Sequence, residues 1–178
     1  MRNNFIHLLK VIIISLLFTS STIASEIFNF DVTEVEIKEN GNKFIGKKGG
    51  IATTTDGTSI KADNFDYDKN KNILIASGNV EINEKDKEII IFSDKIIYKK
   101  NQEIIFTEGN SKAFNLNTEI VADQFKYNKI SNVLNANGSV KILNIKDDYV
   151  IYSDDITYFK NDEKIFSKNK SRGVFGGI

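Results

Sequence analysis

The chain has 178 residues, 24 basic and 24 acidic, with one histidine and no cysteine, proline or tryptophan. Its length suits a single domain, and its interspersed charges contain no basic run able to grip a phosphate backbone, which argues against nucleic acid as a partner. With no cysteine, and with His7 as the only histidine, there is no disulfide framework, thiol nucleophile, imidazole base or usual zinc set, so neither an enzyme nor a metal or cofactor is expected.

The first element reads as a leader. Arg2, His7 and Lys10 precede an apolar run from Val11 to Phe18, and Thr22-Ile23-Ala24 places small side chains at the exit. Basic start, apolar core and small-residue exit together make a secretory signal, with residues 1–24 removed and Ser25 as the new N-terminus. The competing reading is a membrane anchor, but a span needs about 20 apolar residues and Lys10 interrupts the run. Cleavage would leave 22 basic and 24 acidic residues, a net charge of −2, and would place residues 25–178 outside the inner membrane, in the periplasm.

An internal duplication dominates the rest of the chain. When Ile60 is laid on Ile120, segment 60–114 falls on 120–174 without a gap, and 23 of the 55 pairs are identical. Typical residue usage gives about one match in 16 by chance, so these are two copies of one unit. A half-period lies inside each copy. Small-Asp-x-apolar-x-Tyr recurs at Ala62–Tyr67, Ser93–Tyr98, Ala122–Tyr127 and Ser153–Tyr158, each start close to half the offset from the one before. Phe44–Gly49 stands one full offset ahead of Ile104–Gly109 and is a decayed earlier copy. The architecture is therefore a stack of rungs, each roughly 30 residues long and within the usual size of a structural repeat.

Each rung reads as strand. Asn72–Ala76, Asn79–Asn83, Glu88–Phe92 and Glu103–Thr107 are short and rich in β-branched and aromatic residues. Turn chemistry separates them at Asp56-Gly57, Asp68–Lys71, Ser77-Gly78, Glu84–Lys87, Lys99–Gln102 and Asn137-Gly138. Turns at such short and even spacing suit an all-β sandwich, roll or solenoid. Ile60 and Ala62 share one parity and Phe65 and Tyr67 the other, so if all four face inward the chain bends at the intervening Asp-x step. Asp63, Asp94, Asp123 and Asp154 are then corner residues bonding local backbone. The rival, a calcium ladder, lacks the clustered acids and glycines of such repeats. Gly78 and Gly138 read as ordinary tight turns.

Ala62-Asp63-Asn64-Phe65-Asp66-Tyr67 and the following Asn72 to Ile82, with its Gly78-Asn79-Val80 phrase, resemble the OstA-like domain family over residues 27–175. The resemblance implies an all-β fold, an open antiparallel β-jellyroll made of these rungs. It also implies an apolar interior that carries lipopolysaccharide acyl chains. Head-to-tail homo-oligomers would then join inner- and outer-membrane Lpt-type components into a bridge. Alternatives within the family are the soluble N-terminal part of an outer-membrane assembly protein, which would need a large barrel beyond this length, or an anchored inner-membrane component. Outside it stands a structural β-solenoid with a filled interior and no lipid ligand.

Inward parity nominates a groove lining of Phe65, Tyr67, Leu74, Val80, Ile82, Ile96 and Tyr98 in the first unit. Phe125, Tyr127, Leu134, Val140, Ile142, Ile156 and Tyr158 follow in the second. Any closed β-core would show the same residues. Uncapped sheet ends, with no proline to blunt them, would suit strand addition by a neighbouring subunit.

Overall fold

A computed structural model describes residues 28–176; the leader at 1–24 lies outside them. Fourteen strands form one continuous antiparallel sheet. They are β1 (Phe28–Lys38), β2 (Lys43–Thr54), β3 (Thr58–Ala62), β4 (Asn64–Asp68), β5 (Ile73–Glu84), β6 (Ile89–Lys99) and β7 (Ile104–Glu108). Then come β8 (Ser111–Asn115), β9 (Thr118–Ala122), β10 (Gln124–Asn128), β11 (Val133–Asn144), β12 (Tyr149–Phe159), β13 (Lys164–Phe166) and β14 (Ser171–Phe175). Each of β3 to β8 has its counterpart in β9 to β14 at the offset of the sequence repeat, so the duplication in sequence is a duplication in structure.

The sheet folds on itself because its long strands are bent. The second half of β2 pairs with β3 and its first half with β4. In the same way β5 meets β3 with one half and β4 with the other, β6 meets β8 and β7, and β11 meets β9 and β10. The layer order is therefore β1-β2-β3-β5-β6-β8-β9-β11-β12-β14 on one side. On the other it is β1-β2-β4-β5-β6-β7-β10-β11-β12-β13. This is the expected jellyroll, two layers joined along a spine of corners.

The corners explain the parity switch. Ile60, Ala62, Phe65 and Tyr67 are all buried, and the backbone turns over at Asp63 between β3 and β4. The Asp63 N–H donates to the Gly78 carbonyl at 2.9 Å, Asp94 N–H to Gly109 at 3.0 Å, and Asp123 N–H to Gly138 at 2.9 Å. Two details differ from the sequence reading. The aspartate side chains of Asp63 and Asp94 accept from the side-chain amides of Asn79 and Asn110, each at 2.8 Å, rather than from local backbone. Ser77-Gly78 and Asn137-Gly138 are also not tight turns between separate strands. They are bulges inside β5 and β11, where the pairing register shifts. Gly78 (φ +78°) and Asn79 (φ +48°) both take left-handed backbone there, which bends the strand without reversing it. The decayed copy is structural too: Gly49 N–H donates to Asp63 O as Gly109 N–H does to Asp123 O.

Between the layers lies one apolar core. Among its largest fully buried side chains are Tyr98, Tyr127, Phe65, Ile60, Leu74 and Ile96, each such burial contributing about 1.5–3 kcal/mol. At the N-terminal end Phe28 stands edge-on to Tyr67, with ring centroids 5.0 Å apart, and to Tyr98 at 5.8 Å. Phe30 stacks on Phe44 at 4.0 Å. At the C-terminal end Tyr149, Ile151 and Ile165 are only half-buried. Among the described residues the sheet keeps free edges at β1 and at β13 and β14.

Candidate functional site

All fourteen nominated residues lie between the two layers, and all are buried, from Leu74, Ile82, Ile96, Tyr98, Tyr127 and Ile142 at 0% exposure to Tyr67 at 7%. The structure thus brings them to one inward surface. Little space is left where they meet in the second unit. Between the layers, among Ile89, Ile120, Tyr127, Leu134 and Tyr158, the void is about 10 Å³, room for no more than one water. An alkyl tail enters this interior only if the layers part.

They would part opposite the spine, along the line where turn tips of the two layers face each other. We call this line the seam. The hydroxyls of the core tyrosines point there. Tyr67 donates to Asn72 Oδ1 at 3.0 Å and Tyr127 to Asn132 Oδ1 at 3.3 Å. Each asparagine continues the chain of bonds to the next tip, Asn72 to Asn101 at 2.9 Å and Asn132 to Asn161 at 3.0 Å. The tyrosines can therefore be buried with their one polar atom satisfied.

At mid-seam the two layers are joined by charge. Lys129, from the tip that follows β10, is 4% exposed. Its Nζ lies 3.0 Å from Glu84 Oε1, 3.0 Å from Asp56 Oδ2 and 3.4 Å from Glu103 Oε2. It also donates to Thr58 Oγ1 at 2.5 Å and to Tyr98 OH at 3.1 Å. Asp56, Thr58 and Glu84 belong to the first layer, and Lys129, Tyr98 and Glu103 to the second. Lys100 adds bonds to Asp56 at 3.1 Å and Glu103 at 2.5 Å, while Lys87 reaches Glu84 at 3.3 Å and the Lys129 carbonyl at 2.5 Å. A recess of about 390 Å³ opens above the cluster, lined by Asp56, Glu84, Lys85, Lys87, Lys129 and Ile130 among others.

The cluster keeps its groups charged. Burial works against ionisation of Asp56, but bonds from Thr54, Lys129 and Lys100 outweigh it and hold the carboxyl well below the usual range. Glu103 is likewise disfavoured by burial and brought below its ordinary value by Lys100, Tyr98 and Lys129. Burial would neutralise Lys129, yet Glu84 and Asp56 raise its pKa above the usual lysine value. Burial first, and then the bond to Glu103, push the Tyr98 phenol far up, so it stays a donor.

No motif in the sequence pointed to this cluster. Lys129 and Lys69 are identical partners in the repeat, and Lys69 is exposed. The signal available was asymmetry between copies, since the second-unit equivalents of Asp56 and Glu84 are Leu116 and Asn144. Among the described residues no group of three or more histidine, cysteine, aspartate or glutamate side chains has the arrangement of a metal site.

The fold and its inward apolar surface define a two-layered, open-edged β-jellyroll with no helix long and apolar enough to cross a membrane among the described residues. A family model described as OstA-like protein matches residues 24–171, and the chain belongs to that family. Among solved structures it is similar to LptH of Pseudomonas aeruginosa, described as the LptA-homologous periplasmic component of the conserved lipopolysaccharide transport device. The match has a TM-score of 0.56 and 11% identity, covering 65% of this chain and 93% of that one. At that identity the likeness concerns the fold. No curated protein sequence matches the chain.

Proposed function

We propose that the chain is a periplasmic lipid-binding transport protein that shields lipopolysaccharide acyl chains between its two layers. It would stack head to tail as part of a bridge with inner- and outer-membrane Lpt-type components. One observation carries the reading: two copies of a rung turn every large apolar side chain of β4 to β6 and β10 to β12 that the sequence nominated toward a single interlayer surface. Family membership and the likeness to LptH support the same reading. Each buried CH₂ is worth about 0.8 kcal/mol, so ten or so methylenes hold a tail out of water and still release it. The free edges at β1 and β14 suit strand addition, and a head-to-tail contact of that kind propagates as a filament.

A photocrosslinker at Phe65 or Phe125, both buried, should capture lipopolysaccharide in living cells, and one at exposed Lys71 should not. Equal labelling at all three would remove the carrier reading. The small void among Ile120, Tyr127 and Leu134 favours a second reading, a scaffold that binds no lipid, and that reading predicts no capture at any of the three. Export is tested separately: intact mass should place the mature N-terminus at Ser25, and retention of Met1 would count against it.

A further inference from the structure

The seam is closed differently in its two halves, although both are built from the same repeat. At mid-seam the closure is the Lys129 cluster, with charged groups bonded across the layers at 3.0 to 3.4 Å. In the C-terminal half, Leu116 and Asn144 replace Asp56 and Glu84. Asn144 donates to Thr118 within its own layer at 3.0 Å, and a bond between neutral groups crosses, Tyr158 OH donating to Asn115 Oδ1 at 3.1 Å, beside the exposed Lys146, Asp147 and Glu163. The same half carries an aliphatic rim. Leu116 (68% exposed) and Ile145 (71%) sit on neighbouring first-layer tips, tied by the Ile145 N–H to Asn117 O bond at 3.1 Å. Ile130 (74%), beside Lys129 on the second-layer tip, stands at the border with the cluster, whose recess it also lines. Behind this rim lie the small interlayer void and the half-buried Tyr149 and Ile151. Behind the cluster lies the aromatic packing of Phe28, Tyr67 and Tyr98.

We propose that the layers part asymmetrically, the Lys129 cluster holding the middle of the seam shut while the acyl chain enters through the C-terminal half, past Leu116, Ile130 and Ile145. This rests on the carrier reading above. Parting the cluster would break several charge-assisted bonds at once, and the incoming hydrocarbon could not solvate the charges released. Parting the C-terminal half breaks bonds between neutral groups, which water replaces readily. Lys146, Asp147 and Glu163 are exposed and stay in water. An alkyl tail there therefore breaks no ion pair as buried as that of Lys129 with Glu84, and three side chains already in solvent offer it apolar surface on the way in. The cluster is thus a clamp that sets where the interior opens.

The absence of cysteine allows each half to be bridged at will. Asn117→Cys with Glu163→Cys, which line one recess on facing layers, takes a bismaleimide bridge across the C-terminal half after folding. Asp86→Cys with Gln102→Cys, on the two tips that bring Glu84 and Glu103 to Lys129, takes one across the middle and replaces no member of the cluster. The probe is lipid A carrying a fluorescent acyl chain, with unbridged proteins as controls and circular dichroism to verify the fold. The C-terminal bridge should cut uptake by about tenfold or more, and the middle bridge should leave it within about twofold. Replacing the clamp with neutral groups, Lys129→Met with Glu84→Gln, should restore uptake to the C-terminally bridged protein. Uptake that survives the C-terminal bridge, or falls equally with either bridge, overturns the asymmetric seam alone. No uptake by any unbridged protein overturns the carrier reading and this inference with it.

Discussion

Asp63 and Gly78 lock a corner of the jellyroll: the aspartate N–H donates to the glycine carbonyl at 2.9 Å, and a Cβ built on the glycine would stand 2.9 Å from the aspartate Cβ. Gly78 also has φ +78°, so a side chain there meets both backbone strain and a collision. Gly138 over Asp123 and Gly109 over Asp94 repeat the arrangement. Gly78→Ala should therefore lower stability in urea by about 1–3 kcal/mol. Adding Asp63→Ala should recover only the part of the steric cost due to the carboxylate, because the Cβ–Cβ contact at 2.9 Å remains, and none of the conformational part. An unchanged midpoint for Gly78→Ala would show that the corner tolerates a side chain.

Lys129 should be costly to remove alone. Lys129→Met leaves Glu84, 4% exposed, as a buried charge without its nearest cross-seam cation, and breaking such a pair costs about 3–5 kcal/mol. Lys129→Met with Glu84→Gln should be much closer to the parent, because both charges then go together. Equilibrium urea unfolding measures both. If the single variant were as stable as the double, the cluster would not bear on stability.

Acid should weaken the fold before base does. Asp56 and Glu103 are held below their ordinary values by their lysine, threonine and tyrosine partners. Their contribution is present above the unfolded range near about pH 4 and is lost as pH falls through their folded values. Lys129 is held above its ordinary value, so its contribution is intact below about pH 10.4 and is lost only as pH rises past the folded value. Urea midpoints should be flat across neutral pH and fall below about pH 4, with a shallower acid limb in Asp56→Asn. An identical acid limb in that variant would locate the acid sensitivity elsewhere.

The core and the rim should respond differently to truncation. Leu74→Ala, at 0% exposure, should cost about 2–5 kcal/mol. Leu116→Ser, at 68% exposure, should stay within about 0.5 kcal/mol in stability while reducing lipid uptake. Thermal or urea unfolding measures the first comparison, and fluorescent lipid A uptake the second.

Much of this architecture is legible in the chain because the rungs repeat. The repeat offset maps β3–β8 onto β9–β14, and the parity change between Ala62 and Phe65 locates a real bend. The bulges read as turns in the sequence because glycine beside a small polar residue marks both. Only the pairing of β5 with β6 on either side of Gly78 reveals a single strand. The interlayer surface is legible as a set of residues but not as a volume: alternation says which way a side chain faces, and packing decides whether space is left over. The Lys129 cluster leaves only the asymmetry between copies at Asp56 and Glu84 as a trace, since Asp56 and Lys129 are 73 positions apart and meet only after the sheet has folded over. Nothing local distinguishes Lys129 from exposed Lys69.

Because β5, β6, β11 and β12 each run through both layers, neither layer can slide over the other without tearing its own strands. The permitted motion is rotation about the spine, like a book turning on its binding. An arm of about five residues is about 17 Å long, so a rotation of about 15° moves its tip by about 4 Å, roughly the spacing of one alkane chain in van der Waals contact. Small angular changes at the aspartate-glycine corners are thereby magnified where the pages meet. The corners that look most rigid are the ones that govern how wide the molecule gapes.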